Sequence, residues 1–440
     1  MKSEGNQSSH QAILHSISGL YSGRRGFLRA AAGSLATLSL SGHALNGQTL
    51  SLSGTSAAAA QSINGVQETS TAGQETSAPG TADSAVKQTG WISYRGTPDQ
   101  RGISFSALAD QPEQKWEFPS ADGWVSSVAI VGDRVYAPAL EGYLYCLDRK
   151  TGQEIWKYRT IDNADPKTFA PGFKAAPLVS GGVVYVGDED GVLHAVSADS
   201  GQRQWKFATG AEIAGCVGQF GDQLLLSSHD SFLYCLSQQG EELWKFQTQD
   251  MVNCSPAIAE HFTFLAGCDG HLRVIDLNTH GEVHGIPMES PLIASPSIVG
   301  DQLYVGTHAG EIVSVNWRKG EVTWRYKGPR DMPYHASGAV TDEIVVVGSH
   351  DKHLHAVDRL TGKGLWTFPT KARIESSCTV VDQRVFFGSG DGNIYGVDLK
   401  SGKQVWKVNP GKPVNAGIAI GEGCLIVGEE GQNGRLRCFA

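Results

Sequence analysis

The sequence predicts an all-β fold, an eight-bladed β-propeller of four-stranded antiparallel blades whose ring is closed by the N-terminal strand pairing with the C-terminal blade. Three observations point there. Seven of the ten tryptophans, Trp116, Trp156, Trp205, Trp244, Trp324, Trp366 and Trp406, follow one another at steps of 40, 49, 39, 80, 42 and 40 residues. The step of 80 is two periods, with His284 at the missing mark. Each period alternates apolar and polar residues between Asp/Gly turns, which reads as short strands. Finally, the two ends of the chain carry complementary fragments of one period.

Taken from the N-terminus, residues 1–45 read as a twin-arginine export signal. Arg24 and Arg25 precede Phe27-Leu28 and a weakly apolar stretch, with Ala44 or Ala60 preceding the cut. Arg29, Ser34, Thr37, Ser39, Ser41 and His43 interrupt that stretch, which falls short of the about 18 apolar residues of a membrane span. The mature protein is therefore expected to have no transmembrane segment. Residues 46–90 are Ser, Thr, Ala, Gly, Gln and Glu without aromatics and are expected to form a disordered linker. Residues 91–112 are a lead-in to the propeller, which occupies 113–440.

Within the propeller each copy has two hairpins. An upstream pair of runs such as Val125–Ala139 turns at Gly132-Asp133. The downstream pair runs through a turn to the tryptophan, as in EGYLYCLDRKTGQEIWKY at Glu141–Tyr158 or DGVLHAVSADSGQRQWKF at Asp190–Phe207. Trp116 stands in a lone outer strand before the first complete copy, and Asn415–Ala440 supplies three strands with no final tryptophan. The two fragments should complete one blade and leave no open edge. The seven tryptophans are expected to be structural, each docking one blade on the next.

The motif LDRKTGQEIW at Leu147–Trp156, echoed as VDRLTGKGLW and VDLKSGKQVW, resembles the PQQ-like repeat. The resemblance covers roughly residues 113–440 and implies an eight-bladed propeller with an outer-strand tryptophan between blades. The lead-in WISYRGTPDQRG at Trp91–Gly102 resembles the segment preceding such propellers in exported bacterial proteins. Length and single-propeller layout are most similar to the branch of the family that serves outer-membrane protein assembly as a lipoprotein. The first cysteine is Cys146, however, so no lipid anchor is expected upstream of it. The turn Asp gives way to Ser197, Ser237 and Asn316 in blades two, three and five, drifts that a structural turn tolerates.

The resemblance implies an envelope protein or peptide segment as partner of a monomeric propeller. It also raises PQQ-dependent dehydrogenase activity as the rival and a ligand-sensing module as a third class. PQQ and calcium are not expected. The chain has no adjacent cysteines, no CxxCH haem site and no long insertion outside the first blade, and it lacks GxSxG and HExxH. No catalytic residue and no metal site is expected, and a net charge of −9 gives no support to nucleic-acid binding. His229, His308 and His350 share one turn slot, and His194 and His355 share another on the third strand, so both sets read as scaffold. The eight cysteines read as buried thiols. Cys146, Cys235 and Cys438 hold a small-residue slot, Cys216 and Cys378 replace prolines, and Cys254 with Cys268 is the best candidate pair.

One candidate site remains, the rim of the central channel. The residue just before the small pair that opens each innermost strand runs Val125, Lys174, Ile213, Asn253, Ile293, His335, Glu375 and Asn415. Lys174, Asn253, His335, Glu375 and Asn415 are its polar members. Trp124, Phe173 and Tyr334, one residue earlier, are expected to be aromatic anchors for a bound peptide or protein. The longest inter-blade loop, Arg159–Phe173, opens on the same rim, as does Lys327–His335.

Overall fold

The computed structural model describes residues 89–440 except 164 and 166, so the export-signal reading and nearly all of the linker lie outside the described residues. Among the described residues there is no helix, and hence none long and apolar enough to cross a membrane. The strands form eight sheets, seven of four strands and one of five. The sequence order within each sheet is that of a propeller blade, from a three-residue inner strand such as Leu178–Ser180 to an outer strand such as Arg203–Ala208.

Burial follows the alternation. The two middle strands of each blade read buried almost throughout, as in Val183–Gly187 and Val192–Ser197. Outer strands alternate exposed with half-buried, the pattern of a sheet edge facing water on one side. Between the third and outer strands the turn is held by its first side chain. Asp148 Oδ1 accepts from the backbone N of Lys150 and Thr151 and from Thr151 Oγ1. Those bonds hold its carboxyl below the usual range. Where Asp has drifted, Ser197, Ser237 and Asn316 each still accept from the same turn, so the substitutions keep the fold.

The tryptophans join neighbouring blades. Trp116 Nε1 donates to Arg149 O at 2.7 Å, Trp205 Nε1 to Gln238 O at 2.9 Å and Trp366 Nε1 to Leu399 O at 3.0 Å, each acceptor lying in the next blade's turn. Trp156 and Trp324 do the same with Ala198 and Arg359. The indole lies flat on a turn glycine: a Cβ on Gly402, at φ +67°, would stand 2.7 Å from Trp366 Cδ2. Blade four departs from this twice. Its turn has His280 at φ 60° in the glycine place, and Trp244 stacks on that ring at 4.9 Å without a partner for its Nε1. At the missing mark His284 Nε2 reaches Arg318 O at 3.0 Å, so a smaller ring keeps the inter-blade bond.

The ring closes as its ends require. Gln114–Pro119 pairs antiparallel with Arg435–Phe439, Trp116 opposite Cys438, in the sheet that carries the last two inner strands. Glu117 on the first strand pairs with Arg435 and Arg437 on the last, and Arg437 also reaches buried Glu429 at 3.1 Å. All eight cysteines are buried free thiols. Cys254 and Cys268 are not joined, since Cys254 Sγ accepts from Ala266 N and Cys268 Sγ from Asn253.

The lead-in has a structural role that the repeat does not announce. Residues 89–104 thread across the inner strands of successive blades and offer them backbone carbonyls. Trp91 exchanges both bonds with Ile130 at 2.8 Å, and the carbonyls of Ile92, Pro98, Asp99, Arg101 and Gly102 accept from Val179, Ile258, Ile298, Val340 and Val380 at 2.8–2.9 Å. Ile103–Ser104 then adds a parallel strand to blade seven. Tyr94 enters the channel and lies 3.0 Å from Ser337 Oγ and 2.8 Å from Ser377 Oγ. Arg95 is 1 % exposed and donates to the carbonyls of Cys378 and Gly338 at 2.6 Å.

Candidate binding rim at the channel mouth

Inner strands run along the channel, so their two ends define its two mouths. The capped amides, Val179 for example, mark the plugged end. Lys174, five residues earlier and roughly 16 Å away along extended chain, marks the other. Between them lies a belt of small residues. The backbone N of Cys216, Ser255, Ser295 and Ser337 each donates to the hydroxyl of Ser255, Ser295, Ser337 and Ser377 in the following blade, at 2.9–3.0 Å. This belt corrects one alignment. Cys216 occupies the serine position of blade three and does not replace a proline, whereas Cys378 does.

At the open mouth three of the five polar members of the rim, Lys174, His335 and Glu375, are drawn into two charged groups. Lys174 Nζ lies 3.3 Å from Glu189 and 3.2 Å from Glu212. Across the mouth, His308 Nδ1 meets His335 Nε2 at 2.9 Å, and the His335 and His350 rings stand 4.4 Å apart. His350 Nε2 is 3.3 Å from Glu375 Oε1, which also takes Arg373 Nε at 3.0 Å. Burial pushes the His335 imidazole down to about 3, helped by the neighbouring His350, His308 and Arg373, so it is neutral at physiological pH. Asn253 is bound to Cys268 and Asn415 to Glu430. His308 and His350 therefore do more than hold their turns, because the residue following the wedge in blade six brings them together.

The aromatic expectation is corrected. Trp124 and Phe173 are 0 % exposed and Tyr334 is 1 % exposed. They are wedges between blades, not anchors on the surface. A Cβ on Gly306 would meet Tyr334 Cβ at 2.6 Å, and Phe173 and Tyr334 pack edge-on against the buried His194 and His355. Backbone glycine or a small residue at the end of the second strand makes room for the wedge. Ile213 is the wedge of blade three, also 0 % exposed, so the rim position there falls to Ala214 and the register is one residue later than the spacing suggested. Val125 and Ile293 are half-buried on the rim. The exposed large apolar side chains of the two loops are Phe169 at 43 % and Met332 at 40 %. The exposed apolar side chains of these loops are therefore not Phe173 and Tyr334, which are buried.

His194 and His355 are scaffold as expected. Each is fully buried, with Nε2 on Asp188 at 2.9 Å and on Asp351 at 3.1 Å and a tyrosine hydroxyl at the other nitrogen. Among the described residues no group of three or more His, Cys, Asp and Glu side chains is arranged to hold a metal ion.

An eight-bladed ring with interlocking tryptophans and a single closed propeller defines a PQQ-like repeat protein. The chain belongs to the family described as outer membrane protein assembly factor BamB, whose profile matches residues 106–221, 190–333 and 328–436. Among curated relatives, BamB of Marinobacter adhaerens is 27 % identical over 118 residues, 25 % of this chain and 28 % of that protein. The beta-alanine-activating enzyme of Mus musculus is 26 % identical over 147 residues, 33 % of this chain and 10 % of that protein. Each match thus spans less than a third of the relative. Among solved structures, BamB from Moraxella catarrhalis superposes with a TM-score of 0.62 at 16 % identity, covering 74 % of this chain and 97 % of that one. A europium-containing methanol dehydrogenase gives 0.67 at 12 % identity, covering 80 % and 98 %. These two likenesses establish the fold alone.

Proposed function

We propose that this protein is an exported, non-catalytic propeller that acts in the periplasm as a protein-interaction scaffold, assisting assembly of envelope proteins. Membership of the BamB family is the observation that carries the reading. The chemistry of the mouth supports it. PQQ is a planar tricarboxylate and calls for free cations and an open aromatic face. Here Lys174 and Arg373 are already engaged by carboxylates, and Trp124, Phe173 and Tyr334 are buried. The loops carrying Phe169 and Met332 are the surface we assign to envelope protein partners.

Capture from an envelope extract tests the reading. The unaltered protein should retain an envelope protein that Phe169→Ala/Met332→Ala loses, and equal capture by both removes these loops from the proposal. The dehydrogenase alternative has its own assay, because the europium-containing methanol dehydrogenase shares this fold. Protein incubated with PQQ and calcium and then desalted should retain no quinone absorbance and no dye-linked alcohol oxidation. Retention of both would overturn the non-catalytic reading.

A further inference from the structure

The plug leaves a gap at one blade. The second residue of every inner strand points its N–H away from the neighbouring strand, since its opposite residue forms a non-hydrogen-bonded pair. Six of these amides, Ile130, Val179, Ile258, Ile298, Val340 and Val380, are capped by lead-in carbonyls. The remaining two are Ile420 and Gln219. Ile420 is fully buried where Gly90 and Trp91 cover the adjoining Gly421. At Gln219 the lead-in turns away, because Arg95 at φ 64° and Gly96 at φ 85° swing the chain between Ile92 and Pro98 while Tyr94 dips into the channel. The space it leaves is a cavity of about 230 Å³ between the lead-in and blade three.

The cavity walls are mostly apolar: Ile92, Pro98, Leu178, Val217 and Pro256 stand round the edge of Gly218-Gln219. The inner strand Gly218–Phe220 is half-exposed along its whole length, whereas those of blades two and four are buried at two of three positions. The Gln219 side chain does not fill the gap, as it turns to donate to Gly221 O at 2.9 Å.

We propose that this gap is a docking site for an extended peptide segment of a partner protein, which presents a backbone carbonyl to Gln219 N–H and a small aliphatic or prolyl side chain to the cavity. The occupant's chemistry is set by continuity. The same sheet ends already bind an extended chain through carbonyls in the blades on either side, and the neighbouring cap is the carbonyl of Pro98. A segment docked here would extend by one blade an interface the protein makes with itself, in the manner of strand addition to an open edge. The inference rests on the scaffold reading for its choice of a peptide partner, but not on the rim loops at the opposite mouth.

The probe is acetyl-Val-Pro-Val-amide, titrated into the full chain with acetyl-Glu-Glu-Glu-amide as control. A ligand of this size is expected to bind with Kd between about 10 µM and 1 mM. Gln219→Ala keeps the amide and should bind within about threefold of the unaltered protein. Gln219→Pro removes an N–H that serves no ladder bond and fixes φ, which an inner edge tolerates, and with Gln219→Ala as the control for the lost side chain it should weaken binding at least about tenfold. Hydrogen exchange supplies a readout without mutation, since saturating peptide should slow residues 217–221 of the unaltered protein. Kd above about 10 mM, equal binding by the proline variant, or unchanged exchange at these residues overturns the proposal. So does a dimer of the unaltered protein that Gln219→Pro dissociates in the absence of peptide, for the gap then belongs to a second copy. Envelope capture that survives while peptide binding fails sinks this inference alone; peptide binding that survives while capture fails sinks the assembly reading alone.

Discussion

Replacing His284 by tryptophan should tighten the junction between blades four and five. At present His284 Nε2 donates to Arg318 O, and a Cβ on Gly320 would lie 2.8 Å from His284 Nδ1. The corresponding distance at a tryptophan junction, Gly362 to Trp324 Cδ2, is 2.7 Å, so the floor beneath the ring is the same. An indole carries roughly 60 Å² more apolar surface than an imidazole, of which about half would be buried at a half-exposed outer-strand position. At about 25 cal/mol per Å² this stabilises the junction by about 0.8 kcal/mol, with the inter-blade hydrogen bond retained through Nε1. Local opening should then be about fourfold rarer. Hydrogen exchange of Gly281–Pro287 and of the turn at 316–321 reads this directly. The reciprocal change Trp324→His should make its own junction open about fourfold more often. Faster exchange around His284→Trp, or no change at Trp324→His, would refute the view that both residues occupy one equivalent slot.

The remaining expectations concern the plug, the turns, the mouth and the thiols. Arg95→Leu removes two charge-assisted bonds from buried carbonyls and should cost about 2–4 kcal/mol after relief of guanidinium desolvation, read as a lower urea midpoint. Gly402→Ala, with φ +67° and a Cβ driven into Trp366, should cost about 2–3 kcal/mol in the same assay. His335 has a folded value near 3, below the about 6.5 of the unfolded chain, so unfolding takes up a proton between the two. Its contribution is complete above about pH 6.5 and is lost as pH falls toward 3. His335→Gln should accordingly narrow the stability difference between about pH 7.5 and 5 by up to roughly 2 kcal/mol, measured from urea midpoints at each pH. Thiol titration in denaturant should find all eight cysteines reactive, and a count of six would show a disulfide.

The fold was legible because the residues that join blades recur with the blade. Trp116, separated from its blade by most of the chain, could be returned to it by the same count, and its pairing with Cys438 follows from that register. The rim was legible only in part. Its positions are fixed by inner-strand register, and the spacing located them to within one residue, placing Ile213 where Ala214 belongs. Whether a side chain there faces water depends on the gap behind it. A glycine such as Gly306 makes a wedge of Tyr334, and that pairing joins separate blades 28 positions apart without any local pattern. The contact of His308 with His335 is of the same kind.

The plug escaped the sequence for a different reason. Its bonds to the blades run through main-chain carbonyls, which any residue supplies, so no periodicity marks which residue meets which blade. What it did leave was a cluster of conformational and polar exceptions, Tyr94, Arg95 and Gly96, at the point where the path breaks. Those residues have no counterpart in the repeat, and the structure gives each a task at that break: Tyr94 crosses to the serines of blades six and seven, Arg95 fastens to their carbonyls, and Gly96 permits the turn. A lead-in built only to cap the inner strands could have followed them around without interruption. By anchoring across the channel instead, it leaves the edge of blade three open, so one side-chain arrangement both crosses the channel and leaves, among the described residues, an accessible inner strand without a lead-in cap.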